Sequence, residues 1–428
     1  MTQTSPNPTI DGAVMPDPQV RRAERRKLAM LGGILAGGIV LSITTGTFPV
    51  VAFCLAIAAV VMLHEAAHFV AAKLSGMKAT EFFFGFGPRL WSIRKGETEY
   101  GIKALPFGGY VKILGMSNLE REIDPVDEPR TYRQASYPRR MAVALAGVTT
   151  HFVLAFLLLV VLLSAVGVPD YGRPSLTIGS LSRLDTGASP ALDAGFRVGD
   201  RIVSVDGDPV SSWDDVPAHI RSNPGRPVAF VVERDGRRVE LTAVPASVER
   251  DGETRGFIGI GPKPVVERLS PVSASGEAVQ DMWKLSTGSL KALGAFFAPG
   301  SLANYADELT NAHSGKPADA DDQRFISVVG VARIAGQAAE SGAFNLVYLL
   351  ALMNIFIGVF NLIPLLPLDG GHVAIATYER IRSRAGRRYQ ADVGKMMPIA
   401  AAVIVVLVLI GVTSIYLDIV KPMANPFQ

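Results

Sequence analysis

Cysteine is almost missing from this chain: the one residue, Cys54, sits inside an apolar run. A disulfide within the chain and a cysteine-based zinc site are therefore both excluded. Charge is scarce as well. Charged residues make up 19% of the 428 positions and hydrophobic residues 49%, with a mean hydropathy of +0.28; a typical soluble protein carries about 25% charged residues. No charge at all occurs over the 36 residues from Leu28 to Leu63. One straight helix of that length would run about 54 Å, against about 30 Å of hydrocarbon. "TTGTFPV" (Thr44 to Val50) gathers turn residues, so two spans are expected, at 28–46 and 49–73. A cleavable leader is not expected. The first 27 residues are polar and proline-rich, then basic in "RRAERRK" (Arg21 to Lys27), and no short apolar stretch with a small-residue cleavage site follows. The composition points to a membrane protein with a soluble portion, and no nucleic-acid partner is expected.

Three further apolar runs, 141–168, 344–368 and 396–417, are long enough to span a bilayer. The fold class expected is a multi-span α-helical membrane protein of about five spans. The basic segments at Arg21–Lys27, "YPRRM" and 378–395 fall on one side under that count, which the positive-inside rule makes cytoplasmic. Segment 167–343 is then exterior. It holds 18 Lys and Arg against 23 Asp and Glu, while the rest of the chain holds 24 against 16.

The exterior segment contains a β-rich module. "RIVSVDG" alternates like a strand and ends in a tight-turn pair, "PVAFVVERDGRRVELTAV" is two alternating runs around Asp-Gly, and "WDDVPAHIRS" has helical character. This order resembles a bacterial PDZ domain over 174–262, carried by "AGFRVGDRIVSVDGDPV". An amphipathic interfacial helix is expected at 280–297, and 307–324, polar and acidic, is expected to be loose. The aromatic, glycine-rich stretch 80–113 reads as β-hairpins that must pack on protein, because unpaired strands cannot face lipid. The organisation expected is a basic tail 1–27, an extra span 28–46, a first core half 49–168, the module 174–262, a helix and linker 280–343, and a second core half 344–417.

The chemistry lies in "HEAAH". On a helix, His64 and His68 share one face one turn apart, and Glu65 points to the side. Two imidazoles suit zinc, which keeps an open position for water and lowers its pKa, and the glutamate can take the proton. Ionisable groups inside a span are costly and functional by default; the bland alternative is a satisfied buried polar cluster. Asp369, in "FNLIPLLPLDGGH", is an acidic residue at the edge of another span, and is the candidate third ligand. The alternative is a capping Asp at a helix end. Fourteen residues, about 21 Å, separate Val50 from His64, which puts the cluster below the midplane, toward the cytoplasm.

Together these motifs resemble the site-2 protease family of intramembrane zinc proteases. "HEAAH" is similar to its first signature and "NLIPLLPLDGGH" to its second. "FGFGP" with "GIKALPFGGYVKILG" is similar to the segment that follows in the bacterial branch. The likeness covers roughly 50–420 and looks nearest to the regulator-of-sigma-E protease type, in an actinobacterial form. It implies a membrane-associated hairpin, Zn²⁺ held by His64, His68 and Asp369, Glu65 as catalytic base, and Asn361 holding the substrate backbone. It also implies cleavage of single-span proteins such as anti-sigma factors, after exterior trimming, in a bacterial inner membrane. One departure stands out: "LAGVTTH" has Val148 and His151 where the family usually has Pro and Asn. His151 is expected to be a hydrogen-bonding residue near the site, or else an extra ligand. His219, His313 and His372 receive no metal role. The competing readings are a non-catalytic PDZ membrane scaffold, which would not need Glu65, and a membrane-embedded prenyl-protein hydrolase, which would not carry the PDZ module. The sequence leaves the oligomeric state open.

Overall fold

The computed structural model describes residues 9–10, 13–14, 18–116, 123–184, 187, 189–250, 253–312, 325–383, 389–423 and 425–426. His313 and most of the stretch expected to be loose fall outside these. The chain divides into two compact units, one of residues 1–162 with 271–428 and one of residues 163–270.

The first unit is helical. Helix α1 (Pro18–Thr44) starts earlier than the span expected at 28–46, because nothing after Pro18 breaks it and the basic segment simply continues the helix. Only Ala29–Thr44 of it is apolar, about 24 Å at 1.5 Å per residue. Helix α2 (Phe48–Leu74) begins with Pro near its first position and buries one stripe of Phe53, Val60, His64, His68 and Ala72. Helix α3 (Tyr137–Val161) continues as a helical span to Val166. Among the described residues four helices are long and apolar enough to cross a membrane: Phe48–Leu74, Tyr137–Val166, Ala343–Asn361 and Gly394–Val420. The count of about five is met only if the shorter α1 is included. Apolar side chains such as Leu55, Leu63, Val153, Val408 and Leu409 stay exposed on these helices, as surfaces bathed in hydrocarbon do.

Strands β1 (Ala79–Lys95) and β2 (Thr98–Ile113) pair antiparallel, and the register doubles back. Phe82 has Val111 on one side and Tyr100 on the other, and Tyr100 also pairs with Ile93. The end of β2 is thus an edge, and β2 lies against α2. Helices α4 (Pro271–Phe296), α5 (Pro299–Thr310) and α6 (Val328–Glu340) follow. The helix expected at 280–297 therefore starts nine residues earlier, at Pro271.

The apolar run 344–368 is not one helix. Helix α7 (Ala343–Asn361) stops at Asn361, residues 362–368 form a turn, and helix α8 (Asp369–Arg382) starts anew. Pro364 and Pro367 remove two backbone donors, so the helix cannot run through. Helix α9 (Met397–Val420) is tied near its end to α6: Ser327 N donates to Asp418 Oδ2 at 2.7 Å and Arg333 Nη1 to Asp418 O at 2.9 Å.

The second unit is built on strands β3 (Val168–Leu181), β4 (Arg201–Val205), β5 (Asp208–Pro209), β6 (Val228–Arg234), β7 (Arg237–Ala243) and, after a separate hairpin, β10 (Ile260–Glu267). The main sheet runs β10-β3-β4-β6-β7, with β5 on β4; β8 (Ala246–Arg250) and β9 (Glu253–Phe257) pair with each other. Asp235 and Gly236, both at positive φ, join β6 to β7, the two-residue turn whose twist matches the strands. Ile178, Ile202, Val205, Val228 and Phe230 form the core beneath the helix Asp215–Arg221. Asp200 is buried there; burial raises its carboxyl, but hydrogen bonds from Arg234 at 2.7 Å outweigh that and hold it below the usual carboxylate range.

Candidate metal centre

Helical spacing puts His64 and His68 on one face of α2, and both are buried. Their Nε2 atoms face each other at 3.1 Å. His68 Nδ1 lies 2.7 Å from the Val143 carbonyl on α3. A carbonyl only accepts, so Nδ1 carries the proton and Nε2 presents its lone pair to His64.

Asp369, the first residue of α8, is brought to this pair from the far end of the sequence. Its Oδ2 stands 3.4 Å from His64 Nε2 and 3.3 Å from His68 Nε2. The turn 362–368 makes this approach possible. Gly370 packs so closely on the Leu362 and Ile363 carbonyls that a Cβ there would strike the backbone.

Helix α3 carries no member of the cluster but shapes it. Gly147 lies against both imidazoles, and a Cβ at that position would overlap the His64 and His68 rings. Gly147→Ala is expected to displace those rings and weaken metal binding on the order of 10–100-fold, the scale set by losing an outer-shell support. Competition against a chromophoric chelator measures this; unchanged affinity would mean that α3 moves away at no cost. One turn further, His151 is 1% exposed, with its ring centroid 4.9 Å from that of His64. Its Nδ1 is 3.2 Å from Asn354 Oδ1, whose amide nitrogen donates to Leu350 O at 2.8 Å. His151 thus stands beside the centre as a hydrogen-bonded residue, outside the three-residue cluster.

Glu65 is half-buried on α2 where the edge of β2 passes. A Cβ on Gly109 would meet Met62 Sδ at 2.6 Å and Glu65 Cγ at 3.5 Å. Asn361 closes α7, half-buried, at the start of the turn that leads to Asp369. His372 lies one turn along α8 from Asp369, its ring edge-on to Tyr132 at 6.2 Å. Neither His372 nor His219 belongs to the cluster. Sequence reasoning passed over the Val143 carbonyl, Gly147 and Asn354. The available signals were a glycine two turns into the 141–168 run and an amide in the middle of the 344–368 run.

The three ligand atoms make a triangle with edges of 3.1, 3.3 and 3.4 Å. A tetrahedral zinc with ligands at about 2.0–2.1 Å needs edges of roughly 3.3–3.4 Å. Asp369 Oδ2 is buried without a hydrogen bond, and two imidazole nitrogens and a carboxylate oxygen converge on one point. Lone pairs gathered in this way repel unless a cation sits among them. The donor set of two imidazoles and one carboxylate suits zinc and leaves a fourth position open.

The profile of peptidase family M50 matches residues 52–407. The zinc metalloprotease Rip1 of Mycobacterium tuberculosis is 36% identical over 409 residues, 87% of this chain and 97% of that protein. Rip1 of Mycolicibacterium smegmatis is 32% identical over 408 residues, 88% and 98% of the two chains. A crystal structure of the PDZ domain of an SdrC-like protein from Listeria monocytogenes covers 22% of this chain and 92% of its own, at 21% identity and a TM-score of 0.18. Because the matched span runs from α2 into α9 and takes in both halves of the cluster, and because the relatives align over nearly their whole length, the chain belongs to peptidase family M50, the site-2 protease family, and is a zinc metalloprotease.

Proposed function

We propose that this membrane protease cuts single-span membrane proteins, of the anti-sigma-factor kind, within or near the bilayer after their exterior part has been trimmed. The observation that carries the reading is the position of the ligand triangle: it is buried among α2, α3 and α8, and two of these belong to helices long enough to cross the membrane. A hydrolytic centre in that setting serves a bond that lies in that setting. The scaffold alternative falls with the family assignment.

In this reading His64, His68 and Asp369 hold zinc. The metal supplies Lewis-acid polarisation of the scissile carbonyl and of the attacking water. The chain's own residues do the rest. His68 is kept in one tautomer by the Val143 carbonyl. Glu65 accepts the proton of the attacking water and returns it to the leaving amine. Asn361 holds the substrate backbone through its amide, at the end of α7. The edge of β2 beside Glu65 belongs to a membrane-associated hairpin. The PDZ-like module at 174–262 selects substrates on the exterior side of a bacterial inner membrane, either by excluding large ectodomains or by binding a new C-terminus.

The test uses the purified full chain in liposomes with a trimmed single-span substrate, with and without a zinc chelator. Cleavage inside the apolar segment that stops with chelator and returns with zinc is the expected result. Cleavage only in soluble loops would end the intramembrane reading. Orientation is read separately. Reporters fused after Phe48 or within 200–320 should be exterior, and one within 378–394 cytoplasmic; a cytoplasmic 200–320 would reverse the topology.

A further inference from the structure

One pair of buried charges has no part in the chemistry described so far. Arg140 on α3 and Glu379 on α8 form an ion pair with side chains 8% and 9% exposed. A buried pair is weak evidence of stabilisation, since apolar residues of like volume often serve as well. What such a pair does supply is a fixed geometry, and its location gives that geometry a use.

Arg140 stands one turn before Val143, whose carbonyl orients His68, and two turns before Gly147, which lies against both imidazoles. Glu379 is ten residues beyond Asp369 on the same unbroken helix, about 15 Å along its axis. A helix behaves as a rod over that length, so turning or sliding α8 at Glu379 moves Asp369 with it. Glu379 is held from a second side, where its Oε1 accepts from Ala391 N at 2.7 Å. The Arg140 guanidinium lies over the Tyr132 ring at 5.0 Å, and Tyr132 meets His372 on α8. One face of α3 therefore grips both the helix that carries the histidines and the helix that carries the aspartate.

We infer that the Arg140–Glu379 pair is a positioning strut. It fixes α8 against the turn of α3 that orients His68, and so sets Asp369 at ligating distance from His64 and His68. This rests on the reading of those three residues as the zinc ligands.

The test is a thermodynamic cycle on the full chain in detergent, with Zn²⁺ affinity read by chelator competition and Co²⁺ absorption as the probe of ligand geometry. Glu379→Ala should weaken Zn²⁺ binding about 10–100-fold and move the Co²⁺ bands toward those of Asp369→Ala. In the Asp369→Ala background the same substitution should weaken binding no further, because there is no carboxylate left to position. Exchanging the charges, Arg140→Glu with Glu379→Arg, should restore part of the affinity and of the Co²⁺ spectrum. Additive losses in the cycle would mean general loosening and would overturn the inference, as would full affinity in Glu379→Ala. If the alanine variant is not monodisperse, Glu379→Gln in the same cycle decides by the same rule. An Asp369→Ala protein that keeps wild-type affinity would instead sink the ligand reading itself, and the strut with it.

Discussion

Glu65→Gln abolishes peptide cleavage while zinc stays bound: that is the expected result for the general base. Glutamine keeps the shape and the hydrogen-bonding reach of glutamate but cannot accept the proton of the attacking water. Loss of a positioned base costs about 10²–10⁴-fold. The ligand triangle of His64, His68 and Asp369 does not include Glu65, so metal content should not change. Both quantities are measured on one sample, metal by elemental analysis and turnover with a single-span substrate. Wild-type turnover in the variant would place the base elsewhere. Loss of zinc together with activity would mean that Glu65 supports the fold of the site and not only the proton transfer.

Asp369→Ala should empty the centre. The carboxylate is the sole contribution of α8 to the triangle, and its oxygen lies 3.3 and 3.4 Å from the two imidazole nitrogens. Removing it leaves two histidines on one helix, a bidentate site open to competing water. The affinity lost should exceed the roughly 10–100-fold that an outer-shell partner is worth, and activity should fall with occupancy at submicromolar zinc. Excess zinc should restore occupancy before it restores rate, because the open geometry differs. Full occupancy with full activity would remove Asp369 from the centre.

Much of the centre was legible because its parts are local. Two histidines four residues apart on a helix must share a face, and ionisable groups in an uncharged run need a use that repays their desolvation. The proline pair at 364 and 367 breaks the helix before Asp369 for an equally local reason, the missing backbone donors. Boundaries were less legible. α1 runs through the basic segment because helical hydrogen bonds ignore the change from charged to apolar side chains. The run 344–368 appeared to be one span because hydropathy does not register backbone breaks.

The sequence by itself determined which residue types stand at which spacing: His64, Glu65 and His68 in one helix, Asp369 at the edge of another apolar run, and alternating strands in 174–262. It also determined that the chain carries several apolar runs long enough to cross a bilayer. Only the tertiary structure decided that α2 and α8, about 300 residues apart in the chain, meet within 3.4 Å. It alone showed that α3, which lends no ligand, packs on both helices, through the Val143 carbonyl and Gly147 on the histidines and through Arg140 on Glu379. The physical reason is that spacing along one helix is fixed by the helical repeat. Contact between helices instead depends on close packing of side chains that no local pattern records, here the missing Cβ of Gly147 and a buried charge pair between α3 and α8.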